Sequence, residues 1–287
     1  MDQAAKLREL ISRPDLTVAP GCYDGFSAKL VEQAGFEVAY MTGFGTSASV
    51  LGLPDTGLIS FSEMAANAAN LAAAIDIPLI ADADTGYGNA VNVYHTVRTY
   101  ARNGVAGLHI EDQVSPKKCG HVQGKQVIPI PEMVGKIKAA CEARAEKDIV
   151  IIVRTDARAV NGFEDTMERC HAFEEAGADM IFFEAPETEE EMRQVASTFK
   201  VPTMINIVQN GITPCLPAPE LEALGYSLAI YPALLMRVAV RAMRDELARF
   251  GKERTLVEDG SGVGFDEIKA LVGFPWYYEM EGRYTPK

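Results

Sequence analysis

The chain is short of positive charge. Its 287 residues include 27 Lys and Arg against 40 Asp and Glu, for a net charge of −13. Without a basic field to attract phosphates, nucleic acid is not an expected partner. Long apolar runs are also missing, since none approaches the ~20 residues that span a bilayer. The N-terminal MDQAAKLRELISRPD has no apolar core of a signal peptide and reads as an amphipathic helix, so no membrane is expected. Cysteine is scarce. The five present (Cys22, Cys119, Cys141, Cys170, Cys215) have the spacing of neither a disulfide framework nor a zinc site, and a reducing cytoplasm is the expected setting. Finally, no glycine-rich dinucleotide fingerprint follows the first strand-like run, which argues against an open doubly wound sheet.

What is present is 48% hydrophobic content, enough for a large core, arranged in a recurring unit of helix, stop and buried strand. The expected strands are Leu16–Asp24, Phe36–Gly43, Ile77–Asp84, Val105–Asp112, Ile149–Asp156, Met180–Ala185, Thr203–Val208 and Ser227–Tyr231. Helices alternate with them, several stopped by a glycine such as Gly35, Gly104, Gly177 or Gly225. Most of these strands are continuous apolar runs, as a parallel sheet covered on both faces requires. Eight such units predict a single (β/α)8 barrel over residues 1–287. A long helix, Ala233–Phe250, and an aromatic tail (GFPWYYEM) follow; the tail is expected to dock on a neighbouring element, because exposed Trp276, Tyr277 and Tyr278 make a sticky patch.

In a parallel barrel the functional face is the C-terminal end of the strands. Polar residues end nearly every one: Asp24, Thr42 and Gly43, Asp82 and Asp84, Glu111 and Asp112, Arg154 and Asp156, Glu184, Asn206, Tyr231. Acids crowded around one mouth repel unless a cation neutralises them. Asp82 and Asp84, two apart, leave their strand on one side, and Glu111 from the next strand reaches the same point. Such an all-oxygen set suits a hard ion, Mg2+ or alternatively Mn2+; N-capping and loop hydrogen bonds are the plainer use of the same acids. Asp55, in LGLPDTG, joins the cluster through water or serves as a turn residue. His95 and His171 read as surface or packing residues and His109 as a core histidine.

The loop after the fourth strand carries Lys117, Lys118, Cys119, Gly120 and His121. Two ammonium groups and an imidazole favour the thiolate of Cys119 and suit it to donate and accept a proton. The same lysines are suited to an anionic substrate.

With these residues in place the chain resembles the isocitrate lyase and phosphoenolpyruvate mutase superfamily, and within it the carbon–carbon lyase branch marked by the K(K/R)CGH loop. The resemblance runs through YMTGFG, LGLPDTG, DADTGYGN, HIEDQ, VRTDA, FEAP, NIV and the aromatic tail, nearly the whole chain. It implies a (β/α)8 barrel whose eighth helix is exchanged between subunits of a homotetramer, placing residues 233–287 against a neighbour. It also implies Mg2+ held by Asp82 and Asp84, with Asp55 and Glu111 through water. Thr42, Gly43 and Phe44 match a loop that binds a substrate carboxylate; Gly120, Arg154, Glu184 and Asn206 match further substrate contacts, and Arg237 matches an arginine of the methylisocitrate-cleaving branch. Cys119 matches the catalytic acid/base, flanked by Lys117 and His121, and Tyr40 a tyrosine that helps deprotonate the substrate hydroxyl.

The implied reaction is cleavage of a 2-hydroxy di-acid, by retro-aldol/Claisen chemistry, into a 2-oxo acid and a carboxylate. No arginine lies between Thr255 and Gly282 to pair with a third substrate carboxylate, and this favours 2-alkylmalates such as 2,3-dimethylmalate. Cleavage of 2-methylisocitrate, hydrolysis of oxaloacetate and a non-catalytic metabolite-binding barrel are the alternatives. Phe182 stands where isocitrate lyases proper tend to carry tryptophan.

Overall fold

A computed structural model describes residues 2–118, 124–256, 260 and 262–286. Eight parallel strands close into a barrel in sequence order: β1 (Thr17–Cys22), β2 (Ala39–Met41), β3 (Leu79–Asp82), β4 (Gly107–Glu111), β5 (Val150–Thr155), β6 (Met180–Phe183), β7 (Thr203–Asn206) and β8 (Leu228–Tyr231), with β8 pairing back to β1. The barrel expected from the apolar runs is the one observed.

The period-two alternation of a strand divides each run between two cores. Tyr40, Ile80, Ile152, Phe182, Met204 and Leu228 pack together inside the barrel. Their neighbours Met41, Ala81, Ile151, Phe183, Ile205 and Ala229 belong to the layer between strands and helices. Helix Gln3–Ile11 closes the N-terminal end by sending Leu7 and Leu10 into the inner core. Arg8 fastens it by pairing with Asp148 at 2.9 Å and Asp179 at 3.0 Å.

The strands are shorter than the apolar runs suggest, because the polar residues at their ends leave the ladder. Asp24 is the N-cap of helix Gly25–Gln33 and forms a capping box with Ser27, so this strand-end acid is structural. Thr42 likewise caps a four-residue helix, Gly43–Thr46, followed by a π-turn over Ser47–Leu51, and this leaves β2 only three residues. The Ser60–Glu63 pair caps helix Phe61–Ala74 in the same reciprocal way. Gly177 stops helix Phe163–Glu175 with φ of +107°, where a side chain would be strained.

Beyond β8 the helix Leu234–Glu253 has no buried residue; Val238 is 62% and Leu247 70% exposed. The tail, expected only as an aromatic segment, forms helices Phe265–Leu271 and Phe274–Tyr284, which leave Trp276 58% exposed. Among the described residues no helix is long and apolar enough to cross a membrane.

Candidate active site

The C-terminal mouth of the barrel is built by the same alternation. Within the strands residues two apart share a face, so Tyr40, Asp82, His109 and Glu111, Arg154 and Phe182 follow the inner core upward, and Thr42, Asp84, Asp156 and Glu184 come next, just past the strand ends. Strand register sets them side by side. Asp82 is paired with His109, Glu111 with Arg154, and Arg154 with Phe182. All but Phe182 are charged or titratable, and all are buried.

Lys117 sits among the acids. Its ammonium lies 2.6 Å from Asp55 Oδ1 and 2.8 Å from Asp84 Oδ1, with both ends of each pair nearly enclosed. Burial alone would lower the lysine's pKa, but Asp84, Asp82, Glu111 and Asp55 outweigh it and raise it well above the ordinary value. Asp84 is pushed up to about 6, first by burial and then by the neighbouring carboxylates Asp82 and Asp55, against the pull of Lys117. Burial would raise Asp82 too. There the His109, Lys117 and Arg154 charges prevail, and its carboxyl is held below the usual range. Glu111 is raised well above the usual carboxyl value, chiefly by burial. Among the described residues neither of its oxygens accepts a hydrogen bond, and Arg154 Nε stands 3.4 Å away.

The loop beneath these acids is tightly shaped. Asp84 and Tyr87 adopt φ of 46° and 61°, the left-handed region that favours glycine. Tyr100 Oη donates to the Asp82 carbonyl at 3.2 Å, and Lys136 Nζ to the Thr85 carbonyl at 3.1 Å. Gly43 faces Asp82 so closely that a Cβ there would come within 2.4 Å of Asp82 Oδ2. A glycine is required at that point for the carboxylate to occupy its place.

The residues fit a hard divalent cation. The donors are all carboxylate oxygens, two of them already gripping an ammonium ion, and Glu111 offers two buried oxygens without hydrogen-bond partners among the described residues. Among those residues no three acids, histidines or cysteines stand together as direct metal ligands.

Tyr40 and His109 form the inner wall. Their Oη and Nε2 atoms are 2.8 Å apart, and the rings stack at a centroid distance of 5.7 Å. Burial raises Tyr40 well above its ordinary pKa, with Asp82 adding to it, while the same burial lowers His109 to about 4. The imidazole is therefore neutral at pH 7 and shares one proton with the phenol. His109 also meets Phe182 edge-on at 5.6 Å, and Arg154 lies over that phenyl ring at 5.2 Å. Asn206 Nδ2 donates to Glu184 Oε1 at 3.2 Å.

Tyr40, Thr42, Gly43, Asp55, Asp82, Asp84, Glu111, Lys117, Arg154, Glu184 and Asn206 are thus gathered at one mouth. Phe44 is on the same β2 turn but 41% exposed. Arg237 stands in an adjoining cavity of about 480 Å3 with Gln209, Cys215, Tyr231 and Arg241, and donates to the Gln209 carbonyl at 3.3 Å. Cys119, Gly120 and His121 lie outside the described residues. The expectation for His109 as a core histidine was half of the matter: it is fully buried but touches Tyr40 and Asp82. The signal was the spacing of His109 and Glu111, two apart and so on one face. Lys125, whose ammonium reaches Asp156 at 2.9 Å, had no signal of its own.

A closed parallel barrel with a buried acid cluster at its C-terminal mouth is the architecture of a (β/α)8 enzyme. Residues 7–250 match the family model described as phosphoenolpyruvate phosphomutase, and the chain belongs to this family within the phosphoenolpyruvate mutase/isocitrate lyase superfamily. It is 48% identical to 2,3-dimethylmalate lyase of Eubacterium barkeri over 99% of both chains, and 44% identical to 2-methylisocitrate lyase of Aeropyrum pernix over 98% of this chain and 91% of that one. Among solved structures, oxaloacetate acetylhydrolase with the inhibitor 3,3-difluorooxalacetate superposes with a TM-score of 0.95 at 36% identity, covering 100% of this chain and 98% of the other. Phosphonopyruvate hydrolase bound to oxalate and Mg2+ superposes with a TM-score of 0.90 at 34% identity over 99% of both.

Proposed function

We propose that the protein is a Mg2+-dependent carbon–carbon lyase that cleaves a 2-alkylmalate such as 2,3-dimethylmalate into a 2-oxo acid and a carboxylate. The observation that carries this reading is the buried carboxylate cluster of Asp55, Asp82, Asp84 and Glu111 facing Arg154 and the Tyr40–His109 pair across one mouth.

Asp82 and Asp84 would hold the ion, with Asp55 and Glu111 beside them. When bound, it would supply a Lewis acid to the substrate's oxygens. The turn at Thr42, Gly43 and Phe44 receives a carboxylate on its backbone N–H groups. Arg154, Glu184 and Asn206 orient the substrate, and the Arg154 guanidinium stabilises the negative charge that spreads over the substrate as the bond breaks. Tyr40, hydrogen-bonded to His109 at 2.8 Å, helps to draw off the proton of the 2-hydroxyl. The hydroxyl oxygen becomes the 2-oxo group, and the C2–C3 electron pair passes to C3 as an enolate conjugated with the distal carboxylate. The Cys119 thiol protonates C3, with Lys117, Gly120 and His121 alongside it in the KKCGH segment.

The missing arginine between Thr255 and Gly282 and the full-length similarity to a dimethylmalate lyase favour a substrate with two carboxylates. One observation favours 2-methylisocitrate instead: Arg237 and Arg241 both line the cavity beside the mouth, where a third carboxylate would be paired. A coupled assay for 2-oxo acid release across dimethylmalate, citramalate, methylisocitrate, isocitrate and oxaloacetate decides the matter. Dimethylmalate is expected to give the highest kcat/KM; methylisocitrate ahead by orders of magnitude would replace the substrate assignment. Full activity in EDTA would remove the metal, and undiminished turnover by Cys119→Ser would remove that residue's role.

The exposed apolar residues of Leu234–Glu253 and the tail support a homo-oligomer, read as a cytoplasmic tetramer in which residues 233–287 pack on a neighbouring subunit. Light scattering tests this, since a monomeric mass at micromolar concentration would exclude it.

A further inference from the structure

Asp156 sits at the end of β5, wholly buried, and holds Arg154 by both nitrogens of one edge. Arg154 Nε donates to Oδ2 at 2.8 Å and Nη2 to Oδ1 at 3.0 Å. That pair is already neutral and geometrically complete. Yet Lys125 donates to the same Oδ1 at 2.9 Å, with its side chain 1% exposed. Taking an ammonium group out of water costs several kcal/mol, so a second cation on an acid that already has a partner calls for a reason.

The backbone delivers Lys125 deliberately. Gln113 bridges to Val127, Val114 N donates to the Gln126 carbonyl at 2.8 Å, and Ile128 N to the Asp112 carbonyl at 2.8 Å. These bonds fix the chain immediately C-terminal to Lys125. Asp156 is fixed from behind, because its backbone N–H donates to Asp112 Oδ1 at 2.9 Å; Asp112 also receives Thr155 Oγ1 at 2.7 Å and Arg169 Nη1 at 3.1 Å. Burial would raise Asp156, but Arg154 and Lys125 together hold its carboxyl well below the usual range.

We propose that Lys125 is a positioning residue for Arg154, acting through Asp156 to fix the guanidinium and to keep its positive charge available to an anionic substrate. Two physical effects are involved. Anchoring Oδ1 stops the carboxylate from rotating, so the plane of the guanidinium that follows it is set. The second effect is charge. Arg154 also faces Glu111 at 3.4 Å and Glu184 at 3.8 Å, and Lys125 takes up part of the Asp156 charge that Arg154 would otherwise meet alone. The added cation leaves the local field less negative where a substrate carboxylate must approach.

The test uses oxalate, a planar di-anion resembling a 2-oxo acid enolate, titrated calorimetrically into the full-length protein with Mg2+. Lys125→Met is expected to bind oxalate about tenfold more weakly, while its Mg2+ affinity without oxalate stays near wild type. Lys125→Arg should recover most of the loss, and Asp156→Asn should reproduce it. In an Arg154→Lys background, Lys125→Met should add little, because the route through Arg154 is already cut. Unchanged oxalate affinity in Lys125→Met, or a loss that adds in full to that of Arg154→Lys, overturns the proposal. Should Lys125→Met fail to fold, Lys125→Gln is measured against the same outcomes. Only the kinetic counterpart, a raised KM exceeding any fall in kcat, rests on the lyase reading. Wild-type protein that binds oxalate but releases no 2-oxo acid defeats that reading and leaves the binding test intact.

Discussion

The ammonium of Lys117 lies 2.8 Å from a carboxylate oxygen of Asp84, in the space where the acids of the mouth converge. A lysine of the KKCGH segment thus neutralises the cluster proposed to bind a divalent cation. Buried carboxylates at this density need a cation, and this one is within reach.

The pairing predicts how Lys117→Met behaves. In EDTA the variant leaves Asp55 and Asp84 buried without their cation, and its melting temperature is expected to fall several degrees below wild type. Added Mg2+ should raise the melting temperature of the variant more than that of the wild type, because the ion then binds only the folded state and has no ammonium to displace. Calorimetric melts with and without Mg2+ check both points, and equal Mg2+ responses would refute them.

Replacing Asp82 or Asp84 with Asn should remove most divalent-ion affinity and lower kcat by at least about 10³-fold, as removal of a main electrostatic stabiliser does. Mn2+ titration followed by electron spin resonance measures the first effect independently of turnover. An Asp82→Asn protein that binds Mn2+ as tightly as wild type would contradict the placement of the ion.

Tyr40→Phe removes one partner of a fully buried hydrogen bond. Its expected cost is about 1–3 kcal/mol of stability, because His109 Nε2 is left unsatisfied. If Tyr40 accepts the hydroxyl proton, kcat should fall by roughly 10²- to 10⁴-fold with little change in Mg2+ binding. A variant that is less stable but turns over normally would leave Tyr40 as a wall residue only.

At the other end of the barrel, Arg8→Met should cost stability and spare activity. Its hydrogen bond and charge hold Asp148 below the ordinary Asp value of 3.8. A depressed carboxyl contributes stability above its unfolded pKa and loses it as pH falls through the folded pKa. The wild-type advantage over Arg8→Met is therefore expected at neutral pH and should narrow below about pH 4. Asp148 and Arg8 are partly exposed, so solvent screening limits the effect to about 1 kcal/mol. Urea melts at pH 7 and pH 3.5 test it.

Much of this was legible in the chain. Continuous apolar strands alternating with helices require a covered parallel sheet, and that many of them in a row have to close. The two-residue spacing of His109 and Glu111 within one strand assigns that pair to one face, since strand periodicity is local, whereas Asp84 lies just past β3 in a left-handed turn that spacing alone does not specify. Asp24 and Thr42 stand just past their strands as N-caps, because capping competes with the ladder for the same residues and the helices that follow settle that competition.

Contacts across strands were settled only by closure and register. Asp82 meets His109, Glu111 meets Arg154, and Arg154 meets Phe182 because each strand is staggered against the next by the barrel's shear, a quantity absent from any single strand's sequence. Lys125 on Asp156 and Lys117 on Asp84 are stronger cases. Each joins residues more than thirty apart, and each charge is tolerable in the interior only because the folded chain supplies its counter-charge. By itself the sequence determined the barrel and which acids face its mouth. The tertiary structure decided which charges neutralise one another there, because at a few ångströms in a low-dielectric interior small displacements change the sign of the balance.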